Sequence, residues 1–157
     1  MRKVIVALLV VAMVGLTACI GNASPFGDNP DRYFKQPKVV DGNIFYIDRQ
    51  SIRHHADNHT NYIGVVELNP SGELFKTSCT VIPSDKIPLF VVSFVTLDCA
   101  NAKFKTSKMA ILGVSRTDLD ASNPGILWTM DSPADDWQVL PDGIEKGVKA
   151  VLCGPSF

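Results

Sequence analysis

No charge of one sign dominates these 157 residues: 15 Lys and Arg face 16 Asp and Glu, for a formal net charge of −1. A chain so near neutral lacks the basic excess of a general nucleic-acid binder, and no nucleic-acid partner is expected. It also lacks an apolar run of membrane-spanning length. The N-terminal run from Val4 to Leu16 covers about 20 Å as a helix, against a hydrocarbon core of about 30 Å. Catalytic signatures are missing too. There is no Gly-x-Ser-x-Gly, no His-Glu-x-x-His, no Cys-x-x-Cys and no phosphate-binding glycine loop. Gly113-Val114-Ser115-Arg116-Thr117 approaches the first of these without its second glycine.

Histidine is scarce and confined. His54, His55 and His59 share one polar stretch with Asp57, read as a solvated loop between strands rather than a metal site. His54 and His55 are adjacent and point apart in an extended chain. Asp135 and Asp136 read as loop residues, because adjacent acids rarely share one site. Trp128 and Trp137 read as core or sheet cover rather than a ligand platform. The expectation is a protein that is not an enzyme and holds neither metal nor cofactor.

What is present begins at the N-terminus. Arg2 and Lys3 precede the apolar run, giving residues 1–18 the basic and hydrophobic regions of a signal peptide. Leu16-Thr17-Ala18-Cys19 then resembles the bacterial lipobox, in which the cysteine thiol is acylated and the chain is cut before it. Several acyl chains, at about 0.8 kcal/mol per buried methylene, anchor firmly where one short chain does not. Ile20, in place of the aspartate that retains lipoproteins at the inner membrane, favours the outer membrane in a diderm bacterium. Which face of that membrane carries the domain stays open.

The chain from Cys19 onward has a formal charge of −3, with 13 basic residues against 16 acidic ones. Residues 19–37 are rich in Gly, Asn, Asp and Pro and read as a lipidated tether, and residues 38–157 read as one domain. A chain of this length buries roughly two thirds of its unfolded surface without help from metal or dense cross-links. Three cysteines remain, Cys79, Cys99 and Cys153, so an oxidising compartment leaves one pair and one thiol. Spacing alone leaves all three pairings open.

Asn43–Asp48 and Asn61–Leu68 are dense in β-branched and aromatic residues and read as strands. Asn69-Pro70-Ser71-Gly72 suits a tight turn, which predicts a hairpin into a strand over Glu73–Ile82. Ile87–Leu97 is uncharged and apolar on both faces, as in a covered central strand or one that pairs with something else. Phe104–Val114 is a further strand with a lysine-bearing wet face, and residues 115–134 read as irregular. At the C-terminus, Asp142-Gly143-Ile144-Glu145 resembles a capping box. Ile144, Val148, Val151 and Leu152 follow as a helical stripe. The fold class is α+β: a mainly antiparallel sheet with a C-terminal helix packed on it.

Three segments carry a family resemblance: Phe45-Tyr46-Ile47-Asp48 with Ser51-Ile52, Phe94–Phe104, and Trp137 through Pro141 to Cys153. In order and spacing they resemble the surface-adhesin protein E family, small bacterial outer-membrane lipoproteins, from about Asn43 to Gly154. The resemblance implies an antiparallel sheet with a C-terminal helix, and a Cys99–Cys153 disulfide. It leaves Cys79 without a counterpart, and that residue is expected to be a small buried hydrophobe.

The resemblance further implies a surface adhesin that binds host matrix or plasma proteins through a basic stretch near the central strand. Here Ile87–Leu97 has no basic residue, and Lys103, Lys105 and Lys108 after it are the candidate partner-binding residues. Any adhesion is therefore expected to be weak, or else to tolerate salt through apolar or edge-strand contacts of Ile87–Leu97. An inward-facing envelope lipoprotein with a periplasmic partner or a structural role is the alternative.

Overall fold

A computed structural model describes residues 26, 28–36, 40–119, 123–131, 136–140 and 145–154. The signal peptide, Cys19, Asp135 and the capping box at 142–144 lie outside the described residues. Six strands follow one another across an antiparallel sheet in chain order: β1 (Tyr33–Lys35), β2 (Ile44–His54), β3 (His59–Glu67), β4 (Lys86–Asp98), β5 (Lys103–Ser115) and β6 (Gly125–Asp131). β7 (Gln138–Val139) pairs with the start of β5. Helices α1 (Glu73–Cys79) and α2 (Glu145–Leu152) complete the α+β fold.

Paired residues in an antiparallel sheet point to the same side, so register sorts the core into two faces. Tyr46, Val65 and Val92 share a row, with Phe90 and Leu112 beside it. They form the first face, where Tyr46, Val65 and Phe90 are buried. Phe26 covers them, its ring 4.9 Å from Phe90 and 5.0 Å from Tyr33, both edge-on. On the second face, Val148 and Leu152 of α2 pack on Ile47, Leu97 and Leu140. At the far end of that face, Phe75 of α1 packs against Leu68, Ile82, Val91 and Ile111.

The strands expected from Asn43–Asp48, Asn61–Leu68, Ile87–Leu97 and Phe104–Val114 all form, and α2 lies where the apolar stripe put it. Three expectations fail. Glu73–Cys79 is helical rather than the return strand of a hairpin. The Asp41 carboxylate accepts from the Glu73 backbone N–H at 2.6 Å, and the Thr77 and Ser78 hydroxyls donate back to Glu73 O and Leu74 O. That acceptor lies in a loop far away in sequence, so the local pattern does not show it.

Residues 33–36 belong to the domain rather than to a tether. β1 pairs with β2 from Tyr33↔Asp48 to Lys35↔Tyr46, and Arg32 donates to the buried Asp48 carboxylate at 2.8 Å. Gly125–Asp131 is a strand inside the stretch read as irregular. It follows the Asn123-Pro124 turn and pairs along β5 from Gly113 to Lys108.

Candidate contact surface

β4 has both its edges bonded, to β3 on one side and β5 on the other, so Ile87–Leu97 offers no free edge. The expectation of edge-strand contacts from that run is overturned by its central place in the sheet. One residue of the run does reach the surface. Phe94 is 47% exposed, beyond the part of the first face that Phe26 covers.

A register shift brings all three lysines onto its side of the sheet. Strict alternation along β5 sets Lys108 on the opposite face from Lys103 and Lys105. A bulge intervenes: Phe94 pairs with Lys108 and Val95 with Thr106, leaving Ser107 as the extra residue. Its hydroxyl donates to Phe94 O at 3.4 Å. Lys103, Lys105 and Lys108 then face the same way as Asp98, Thr96 and Phe94, their respective partners on β4. The three candidate residues therefore share one face.

Trp137, just before β7, extends this surface. Its ring stacks on the His59 imidazole, with centroids 5.3 Å apart and planes at 24°, and the Lys105 ammonium sits 5.1 Å from its centroid. Such a cation over an indole contributes about 0.5–1 kcal/mol at an exposed site. Trp128 pairs with Ile111 on the other face and packs near α1. The two tryptophans are thus cover for opposite sides of the sheet.

Acids temper the lysines. Asp131 reaches Lys108 at 3.6 Å, and Asp98 pairs with Lys103 across the strands. The Asp98 carboxylate also accepts from Asn101, which holds its pKa below the ordinary carboxylate value. Asp57 is lowered likewise by its hydrogen bond with His59 Nδ1 at 2.8 Å. The surface is consequently aromatic with mixed charge rather than uniformly basic.

The remaining candidates go separate ways. His54 bonds Thr60 Oγ1 at 3.1 Å, His55 Nε2 meets Asn61 Nδ2 at 2.9 Å, and His59 turns to Asp57 and Trp137. Among the described residues no three His, Cys, Asp or Glu side chains gather as a metal site. His54 and His59 belong to strands, so the expected loop is shorter than the polar stretch. Gly113, in the near-miss serine motif, has a packing reason: a Cβ there would lie 2.0 Å from Ile87 O across the β4–β5 pair.

Cys99 is bonded to Cys153, with Cα atoms 5.7 Å apart, tying the end of β4 to the residue after α2. Cys79 is free and exposed, contrary to the expected burial, because α1 turns Ser78 inward in its place. Partial desolvation still raises the Cys79 thiol above its ordinary pKa. The sequence reading missed Phe94, His59 and Trp137 as members of one surface. The exposed Phe94 was hidden in an apolar run that reads as core.

No family model matches the chain, and no curated protein matches it. Among solved structures it is similar to crystal form II of Haemophilus influenzae protein E. Identity is 16% and the TM-score 0.49, over 78% of this chain and 87% of that one. This is a distant likeness of fold and does not amount to family membership.

Proposed function

We propose that this chain is a lipid-anchored protein of the bacterial outer membrane whose domain binds another protein and catalyses nothing. Cys19 carries the acyl chains, and the sheet face around Phe94 meets a host or extracellular-matrix protein. The observation behind the contact surface is Phe94 itself. A large aromatic left 47% exposed in a central strand, on the same sheet face as Trp137 and three lysines, suits a protein interface, where aromatic residues are enriched. The Cys99–Cys153 bond suits an exported domain, because such bonds persist in oxidising compartments. The contact needs no metal or cofactor.

With Asp98 and Asp131 beside the lysines, charge supplies little of the affinity, and binding survives salt that shortens the Debye length to about 3 Å at 1 M. The test has two arms. Cys19→Ser should abolish palmitate uptake and membrane retention, and retention without lipid would refute the anchor. Protease added to intact cells should remove the domain. Survival of an intact domain would turn the reading to the inward-facing alternative, a periplasmic partner met by the same face.

A further inference from the structure

The segment from Trp137 to Leu140 is held to the sheet at its two ends. Leu140 is buried with Val148 and Leu152 of α2, and its backbone N–H donates to Ala102 O at 3.0 Å. At the outer end Trp137 stacks on His59, with ring centroids 5.3 Å apart. Between them β7 has only two residues, both exposed, paired with Phe104 and Lys103. Two ladder pairs hold little alone, so the stack decides how firmly the outer end is docked.

The groups around His59 make that stack sensitive to a proton. The His59 Nδ1 lies 2.8 Å from the Asp57 carboxylate, in the turn before β3. Asp98 of β4 is its cross-strand partner, and Lys103 of β5 pairs in turn with Asp98. The Lys105 ammonium stands 5.1 Å from the same indole, and Asp136, next to Trp137 in the chain, is exposed. An imidazolium at position 59 gains a charge-assisted hydrogen bond to Asp57, the field of Asp98 and a cation–π contact with Trp137. A neutral ring keeps only an ordinary hydrogen bond and the stacking. Lys105 opposes the added charge, but two carboxylates outweigh one ammonium that sits across the indole.

We propose that the His59–Trp137 stack is a proton-controlled latch, in which protonation of His59 clamps Trp137 and β7 onto the sheet and deprotonation loosens them. Histidine changes charge between about pH 5 and 8, so the latch is closed on the acid side of that window and weakens as pH rises through it. Strong acid undoes it again, by protonating Asp57. The hydrogen bond from His59 holds that carboxylate below its ordinary pKa, which widens the closed range downward. No partner, metal or ligand takes part, so the latch stands or falls independently of the protein-contact reading. Where that reading holds, Trp137 and Lys105 present an ordered contact surface in acid and a looser one in alkali.

The experiment uses the detergent-extracted full chain with its disulfide intact. Trp128→Phe leaves Trp137 as the single indole of a chain that has two. Its fluorescence should step between about pH 5 and 8, because a stacked imidazolium quenches an indole more than a neutral ring does. His59→Gln keeps a hydrogen-bonding side chain without the titrating charge and should abolish the step, whereas His54→Gln and His55→Gln should leave it. Hydrogen exchange at the Leu140 N–H, corrected for intrinsic pH dependence, should show about threefold to fivefold greater protection on the acid side. In His59→Gln the protection should be equal on both sides. Should Trp128→Phe not fold, the two indole N–H signals of the otherwise unmutated protein, assigned with Trp137→Phe, give the same titration by NMR. A flat titration, a step that survives His59→Gln, or Leu140 protection indifferent to pH would each overturn the proposal.

Discussion

Replacing Cys153 by Ala should remove as much stability as the largest single apolar truncation in the sheet. The bond joins residues 54 apart in sequence, and opening it returns loop-closure entropy to the unfolded chain. On the chain-entropy relation a loop of that length is worth about 14 cal/mol/K, or about 4 kcal/mol at 25 °C. The native state suffers as well. α2 has eight residues, fewer than the roughly 12–15 at which an isolated helix is even marginal in water. Its other attachments are Val148 and Leu152 in the core and the Thr60 hydroxyl, which donates to Leu152 O at 3.2 Å.

Urea titration of oxidised protein should show Cys153→Ala losing about 2–5 kcal/mol. The thermal midpoint should fall by roughly 12–16 °C if the loss is about 4 kcal/mol. Cys99→Ala should match it, and the double variant should add little, because either change opens the same bond. Hydrogen exchange offers a local readout. The Cys153 N–H, bonded to Lys149 O at 2.8 Å, should exchange much faster in the variant than the amides of β4. A loss under about 1 kcal/mol would refute the loop-closure reasoning. Unchanged protection of α2 would show that packing alone docks the helix.

Leu97 is fully buried beneath α2, and Leu97→Ala should cost about 2–5 kcal/mol in the same titration. Gly113→Ala forces a Cβ against Ile87 O, and the resulting overpacking should cost about 1–3 kcal/mol; a neutral result would mean that β4 and β5 separate easily there. Cys79 should react with a maleimide in the folded protein, while Cys99 and Cys153 stay unlabelled until reduced. Its rate should climb steeply above neutral pH, since desolvation raises the thiol pKa and the thiolate is the nucleophile.

Elements whose signal is local were legible in the sequence. β2 to β5 are long runs of β-branched and aromatic residues, and α2 carries its own apolar stripe. Elements that depend on a distant partner were not. α1 is capped by Asp41, and β1 is a three-residue strand held by Arg32 on Asp48. In each case the deciding acceptor lies in a part of the chain that no local window contains. The disulfide shows the same division: spacing left three pairings open, and the family resemblance, not the pattern, singled out Cys99 with Cys153.

The contact surface was the least legible part, for a reason of register. The uncharged run Ile87–Leu97 looks equally apolar on both faces, yet cover over it is unequal. Phe90 lies under Phe26, whereas Phe94, four residues on, stands 47% exposed. Nothing in the run's composition tells these two phenylalanines apart. A bulge at Ser107 then brings Lys108 onto the side of Lys103 and Lys105, so one unpaired residue turns two lysines into three on the face that exposes Phe94. Removing that extra residue would reverse the facing of one flank of β5. Either Lys108 or the half-buried pair Thr106 and Phe104 would then take the wrong side. The bulge therefore does two things at once: it keeps Phe104 in the core beneath α2, and it gathers the lysines outside.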